Sequence, residues 1–145
     1  VPIVIKLPVE VKEIRPITVC FIAEVPYMMP TEVKIPNEVL KKLRESGLPD
    51  GYPVSICVAP LKYVEEKEGC VRLEDPEVFG LPVAAIVYFR YDRGIRLSEL
   101  FWDLFAAGYR KYLEGLKKGD PVKVRIVIHA ALFVIEREKS NVEKS

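Results

Sequence analysis

Four runs dense in β-branched and apolar residues constrain this chain more than anything else in it: 17–25 (ITVCFIAEV), 53–59 (PVSICVA), 83–91 (VAAIVYFRY) and 122–135 (VKVRIVIHAALFVI). Side chains branched at Cβ fit a pleated surface and lose rotamer freedom in a helix, so each run is expected to be a strand. Residues 17–25 are apolar almost without a break, which predicts a strand buried on both faces. No run reaches the ~18 apolar residues that a membrane-spanning helix needs, so no membrane partner is expected. Residues 1–11 are apolar too, but Pro2 and Pro8 confine them to an edge strand or an extended arm.

Between the strands the sequence marks two helices. Pro36 stands where a helix takes its first residue, and 37–46 place Val39, Leu40 and Leu43 on one face with Lys41, Lys42 and Arg44 on the others, before Gly47 stops the helix. Ser98 is suited to cap a second helix over 99–114. Its Leu100, Phe101, Leu104, Phe105, Tyr112 and Leu113 form a broad stripe expected to be heavily buried, while Trp102 and Tyr109 fall on a flank and are expected to leave aromatic surface for an interface. Residues 60–82, with their prolines, glycines and acidic run, read as a connector, and 136–145 as a loose charged tail. The chain is thus expected to be one domain over 1–145, with halves at about 1–60 and 83–135.

A shift of 68 residues, from Gly47 to Gly115, lays Gly47-Leu48-Pro49-Asp50-Gly51-Tyr52-Pro53-Val54 on Gly115-Leu116-Lys117-Lys118-Gly119-Asp120-Pro121-Val122. Both stretches follow a helix and open a strand, so each half reads strand, strand, helix, strand. The expected class is α+β: either a cradle-loop, double-psi-like barrel or, dropping the first strand, a ferredoxin-like βαββαβ sandwich. Strand pairing separates the two.

Ile35-Pro36-Asn37-Glu38-Val39, then Leu43, then Gly47-Leu48-x-x-Gly51-x-x-Val54, resembles the second half of an AbrB-type swapped-hairpin domain. Lys118-Gly119-Asp120-Pro121-Val122 is similar to the Gly-Asp turn of the wider cradle-loop barrels. Two departures stand out: Arg44-Glu45-Ser46 are extra before the glycine, and Tyr52 takes the place of the family's Asp. The resemblance implies a nucleic-acid-associated regulator, with no DNA-contacting residue carried over from the family.

Charge and chemistry narrow the function classes. A formal net charge of +1, from 22 basic and 21 acidic residues, gives no overall attraction to nucleic acid or anionic lipid, so such contact needs a local patch. Cys20, Cys57 and Cys70 are widely spaced without a CxxC, which points to no zinc site; a Cys20–Cys57 bridge is the alternative to two small core residues. His129, the single histidine, sits inside an apolar strand and reads as a satisfied strand residue rather than a general base. Glu65, Glu66, Glu68, Glu74, Asp75 and Glu77 lack the periodicity of a calcium loop. No nucleophile elbow, phosphate loop or dinucleotide fingerprint is present, so no catalytic residue, metal or cofactor is expected. Residues 1–8 lack a signal-peptide pattern, and the chain is expected to be cytoplasmic. Glutamine is absent and asparagine occurs only at Asn37 and Asn141, a composition typical of proteins from hot environments and expected of an archaeal or viral source.

The expected function is therefore a non-enzymatic, self-associating binding protein in one of two forms. As a nucleic-acid-associated regulator it would use Lys34, Lys41, Lys42 and Arg44, or Arg110, Lys111, Lys117 and Lys118, as contacts. As a structural component of a filament or viral particle it would add its N-terminal strand to a neighbour's sheet. A single basic face supports the first, and mixed charge with an open strand supports the second.

Overall fold

The computed structural model describes residues 9–67 and 84–137. Most of the expected N-terminal arm, most of the connector with Glu68, Cys70, Glu74, Asp75 and Glu77, and all of the expected charged tail but Glu136 and Arg137, which end the last strand, lie outside these residues.

The elements in chain order are β1 (Val9–Pro26), β2 (Thr31–Val33), α1 (Asn37–Glu45), β3 (Pro53–Pro60), α2 (Leu61–Lys67), β4 (Ala84–Tyr88), β5 (Ile95–Leu97), α3 (Glu99–Gly108), a 3-10 turn (Arg110–Tyr112) and β6 (Pro121–Arg137). The fold is α+β with antiparallel pairing throughout: a four-stranded sheet in the order β1-β6-β3-β4 and a two-stranded sheet of β2 and β5. Both sheets are open among the described residues, and no barrel closes. The first strand cannot be dropped to give a ferredoxin-like sandwich, because β1 is the longest strand and pairs along β6, while β2 belongs to the small sheet.

Exchanging the halves, β1 for β4, β2 for β5 and β3 for β6, leaves every pairing unchanged. The 68-residue repeat has a geometric counterpart, since Gly47, Gly51, Gly115 and Gly119 all carry positive φ (85°, 78°, 80° and 93°). Each half leaves its helix through a left-handed glycine, turns on a second, and enters its strand at Pro53 or Pro121. Only glycine takes that backbone readily, so the spacing of the glycines sets the path of both turns.

β1 differs from the expected strand buried on both faces. Ile17, Phe21 and Val25 are buried, whereas Thr18, Cys20, Ile22 and Glu24 are exposed. An edge strand covered by helices on one side alternates even when its sequence does not. On the covered face α1 contributes Val39 and Leu43, α3 contributes Trp102 and Phe105, and the small sheet adds Val33, Ile95 and Leu97.

The second helix is shorter than expected and rolled. The α-helix ends at Gly108 and the chain tightens into the 3-10 turn. Trp102 and Tyr109, expected on an open flank, are 1% and 3% exposed, while Leu100 and Leu104 of the expected stripe are 67% and 43% exposed. The Trp102 Nε1–H donates to the Met29 carbonyl at 2.7 Å, and its ring stands edge-on to Tyr27. A buried indole needs a partner for its one donor, and satisfying it turns that side of the helix inward. The aromatic flank therefore supplies no interface. As expected, Ser98 caps the helix by accepting from the Phe101 amide at 3.2 Å.

Candidate functional site

β6 is the spine of the sheet. From Pro121 to His129 it lies between β1 and β3, but from Ala130 to Arg137 β1 alone pairs with it among the described strands. Beyond Phe133 the two strands continue as a ribbon, with Val134 to Arg137 spanning about 14 Å at ~3.4 Å per residue. Where β3 ends, Tyr52 takes over: its hydroxyl donates to the Ala131 carbonyl at 2.8 Å and accepts from the Phe133 amide at 3.1 Å.

Those two bonds fix the handedness of the ladder. Ala131 and Phe133 present their backbone groups toward β3, so their β1 partners Pro16 and Ile14 present theirs away from β6, to the outer edge. Thr18, Ile22 and Glu24 follow the same parity. Pro16 costs that edge one donor and costs the β1–β6 ladder none, which is the placement a proline in a sheet requires. No strand lies beyond β1 among the described residues.

The same residues carry their side chains to the face away from α1 and α3. Ile14 (59% exposed) faces Phe133 (52%) across the ribbon, and Ile22 (58%) and Ile135 (51%) extend the patch. α2 packs against β3 and β6, and its Tyr63 meets Tyr109 at 5.1 Å between ring centroids. Cys57 and Arg125 of this face are buried, whereas Pro16, Thr18 and Cys20 of β1 are exposed.

Reactive chemistry is muted in this region. Burial pushes the Cys57 thiol up to about 12, against the pull of the Arg125 charge, so it is protonated at neutral pH and a poor nucleophile. Cys20 and Cys57 both register with Val127, on the two opposite sides of β6, two strand spacings or about 10 Å apart, too far for a bridge. The Cys20–Cys57 alternative is thus corrected. His129 Nδ1 and the Thr18 hydroxyl are 2.7 Å apart across β1 and β6. Among the described residues no three His, Cys, Asp or Glu side chains gather as a metal site.

The basic residues fall into two groups. Lys34, Lys41, Lys42 and Arg44 lie on or beside α1, whose exit glycine Gly47 rests against Leu132. Arg110, Lys111, Lys117 and Lys118 lie near the start of β6, where the Gly119 amide donates to the Tyr27 carbonyl. The turn at Pro121 and the contact at Leu132 are roughly 35 Å apart along β6 at ~3.4 Å per residue. Several of these cations have partners: Lys41 pairs with Glu45, Lys111 with Glu66, and Arg44 lies 4.7 Å from the centre of the Tyr91 ring. Carboxylates thus stand among the cations of both groups.

Sequence reasoning missed a concavity on the covered side. A cavity of about 410 Å³ opens between the edge of β4 and α3, with Ile56, Val58 and Val87 on one wall and Leu100, Phe101 and Leu104 on the other. Its signal lay in the number of apolar residues on α3, more than one buried face of a ten-residue helix holds. Comparison with known proteins finds no matching family model, no matching curated protein and no matching solved structure.

Proposed function

We propose that this chain is a structural, self-assembling protein whose subunits join edge to edge through β1. The observation that carries the reading is the outward ladder of β1, with its row of exposed side chains on one face. Strand addition supplies main-chain hydrogen bonds, and apolar side chains in register make it specific. A two-fold axis at Thr18 places Ile14 opposite Ile22 of the second copy and brings Lys12 near the copy's Glu24. That register is apolar at its shoulders and opposite in charge at its ends, and such an isologous contact closes as a dimer. The exposed ribbon adds support, because two strands alone are marginal in water and gain from a third. The nucleic-acid reading has less behind it, as Lys41 and Lys111 are paired with carboxylates and Arg44 lies over the Tyr91 ring.

Sedimentation at high micromolar concentration is expected to give twice the chain mass, and Ile22→Lys, an exposed position, is expected to give the single mass with an unchanged far-UV spectrum. The register is tested by Thr18→Cys with Cys20→Ser and Cys70→Ser. Directly opposed residues of such a pair have Cα atoms about 4.5–5.5 Å apart, within disulfide reach, so oxidation should link two chains. A wild-type chain of single mass would overturn the proposal.

A further inference from the structure

The cavity between β4 and α3 lies on the opposite face of the sheet from the β1 patch, and its inference is independent of assembly. Its volume of about 410 Å³ falls in the ~300–1,000 Å³ range of small-ligand pockets. The walls are apolar and reach solvent: Leu100, Leu104 and Val87 are 67%, 43% and 39% exposed. A solvent-facing apolar cleft costs free energy that an apolar ligand recovers.

The rim adds charge. Arg90, Arg93 and Arg96 border the cavity on the loop and strand that follow β4. Arg90 is engaged, 3.3 Å from Asp50 and 3.7 Å from Asp92. Arg93 and Arg96 are exposed, and neither forms an ion pair among the described residues. Glu32, which faces Arg96 across the small sheet, has one oxygen committed to the Gly94 amide at 2.9 Å. Gly94 holds this rim in place, because a Cβ there would stand 2.4 Å from the Val33 carbonyl oxygen. A guanidinium offers parallel N–H donors that match a carboxylate, and it stays charged at any working pH.

From the apolar walls and the two arginines at the mouth, we propose that this cleft binds a small amphiphilic carboxylate, with its hydrocarbon chain along Val58, Val87 and Leu104 and its head group at Arg93 and Arg96. A neutral molecule of the same length would fill the walls and leave the arginines unused. A protein segment is disfavoured by the small volume.

The experiment titrates the full chain with decanoate and with decanol, by calorimetry and by the emission of Trp102, the single tryptophan, whose ring lies 5.2 Å from that of Phe101 in the cavity wall. Saturable one-to-one binding of decanoate, at least tenfold tighter than decanol, is expected. The double variant Arg93→Ala, Arg96→Ala should bring decanoate down to the affinity of decanol and leave decanol unchanged. Leu104→Glu, at an exposed position, should weaken both ligands more than tenfold with the far-UV spectrum retained. Absence of saturable decanoate binding, equal affinity for the two ligands in the wild type, or binding only to anionic vesicles and not to monomeric decanoate would overturn the proposal. So would decanoate affinity unchanged in the arginine variant.

Discussion

β1 is described over 18 residues and β4, its counterpart in the second half, over five. Both stand at an edge of the same sheet and both pair inward with the last strand of the other half. α1 buries Val39 and Leu43 beside the long strand and shows Lys41, Lys42 and Arg44 to water. α3 buries Trp102 and Phe105 but has two leucines left over beside the short one. One plan thus ends differently in its two halves: among the described residues the first leaves the outer edge of β1 unpaired and the second leaves a cleft beside β4. The difference lies in the helices, since α3 leaves Leu100 and Leu104 exposed and α1 exposes no large apolar residue.

The sharpest test of that contrast is truncation along α3. Trp102→Ala and Phe105→Ala remove side chains at 1% and 0% exposure and are expected to cost about 3–5 kcal/mol each, the usual range for large aromatic residues in cores. Leu104→Ala, on the cleft wall, is expected to cost under about 1 kcal/mol. Urea denaturation measures all three, and a Leu104 cost equal to that of Phe105 would mean that the cleft is filled. This reverses what the sequence stripe implies for Leu104.

The next test asks whether the two halves share turn geometry as well as order. Gly47 and Gly115 occupy equivalent left-handed positions, and a Cβ at either meets nothing closer than 3.8 Å. Their replacement by alanine isolates backbone strain, and each change is expected to cost about 1–2 kcal/mol. Costs that differ by more than about 1 kcal/mol, measured by the same denaturation, would break the equivalence.

A smaller effect concerns the buried Cys57 thiol. The Cys57 thiol has its ordinary value of 9.0 raised to about 12, chiefly by burial. The folded chain therefore holds that proton more tightly than the unfolded chain. Its stabilising contribution is complete below pH 9 and is lost as pH rises toward 12. Burial also raises the Tyr109 hydroxyl, which adds to the same trend. Urea midpoints should fall between pH 9 and pH 11, and less steeply in Cys57→Ala. An equal slope in that variant would show that the thiol does not contribute.

Much of the frame was legible in the residues themselves. The β-branched run 122–135 became β6, Ser98 capped its helix, Pro36 opened the other, and the Gly47 and Gly115 repeat marked two equivalent turns because left-handed backbone is a local demand that only certain residues meet. Local rules sufficed wherever the deciding interaction lay within a few residues. They failed where the partner was distant in sequence. Whether 17–25 is central or at an edge depends on where β6 and β3 lie, and the apolar run is the same in both cases. Which side of α3 turns inward was settled by a hydrogen bond from Trp102 to Met29, 73 residues away. The outward ladder of β1 and the cleft beside β4 follow from strand order and from which side of α3 is buried, properties of the assembled fold. Residue types alone determined strands, caps and turns; the tertiary structure decided which edges and faces were left for a partner, because exposure depends on what packs nearby and not on what the chain contains.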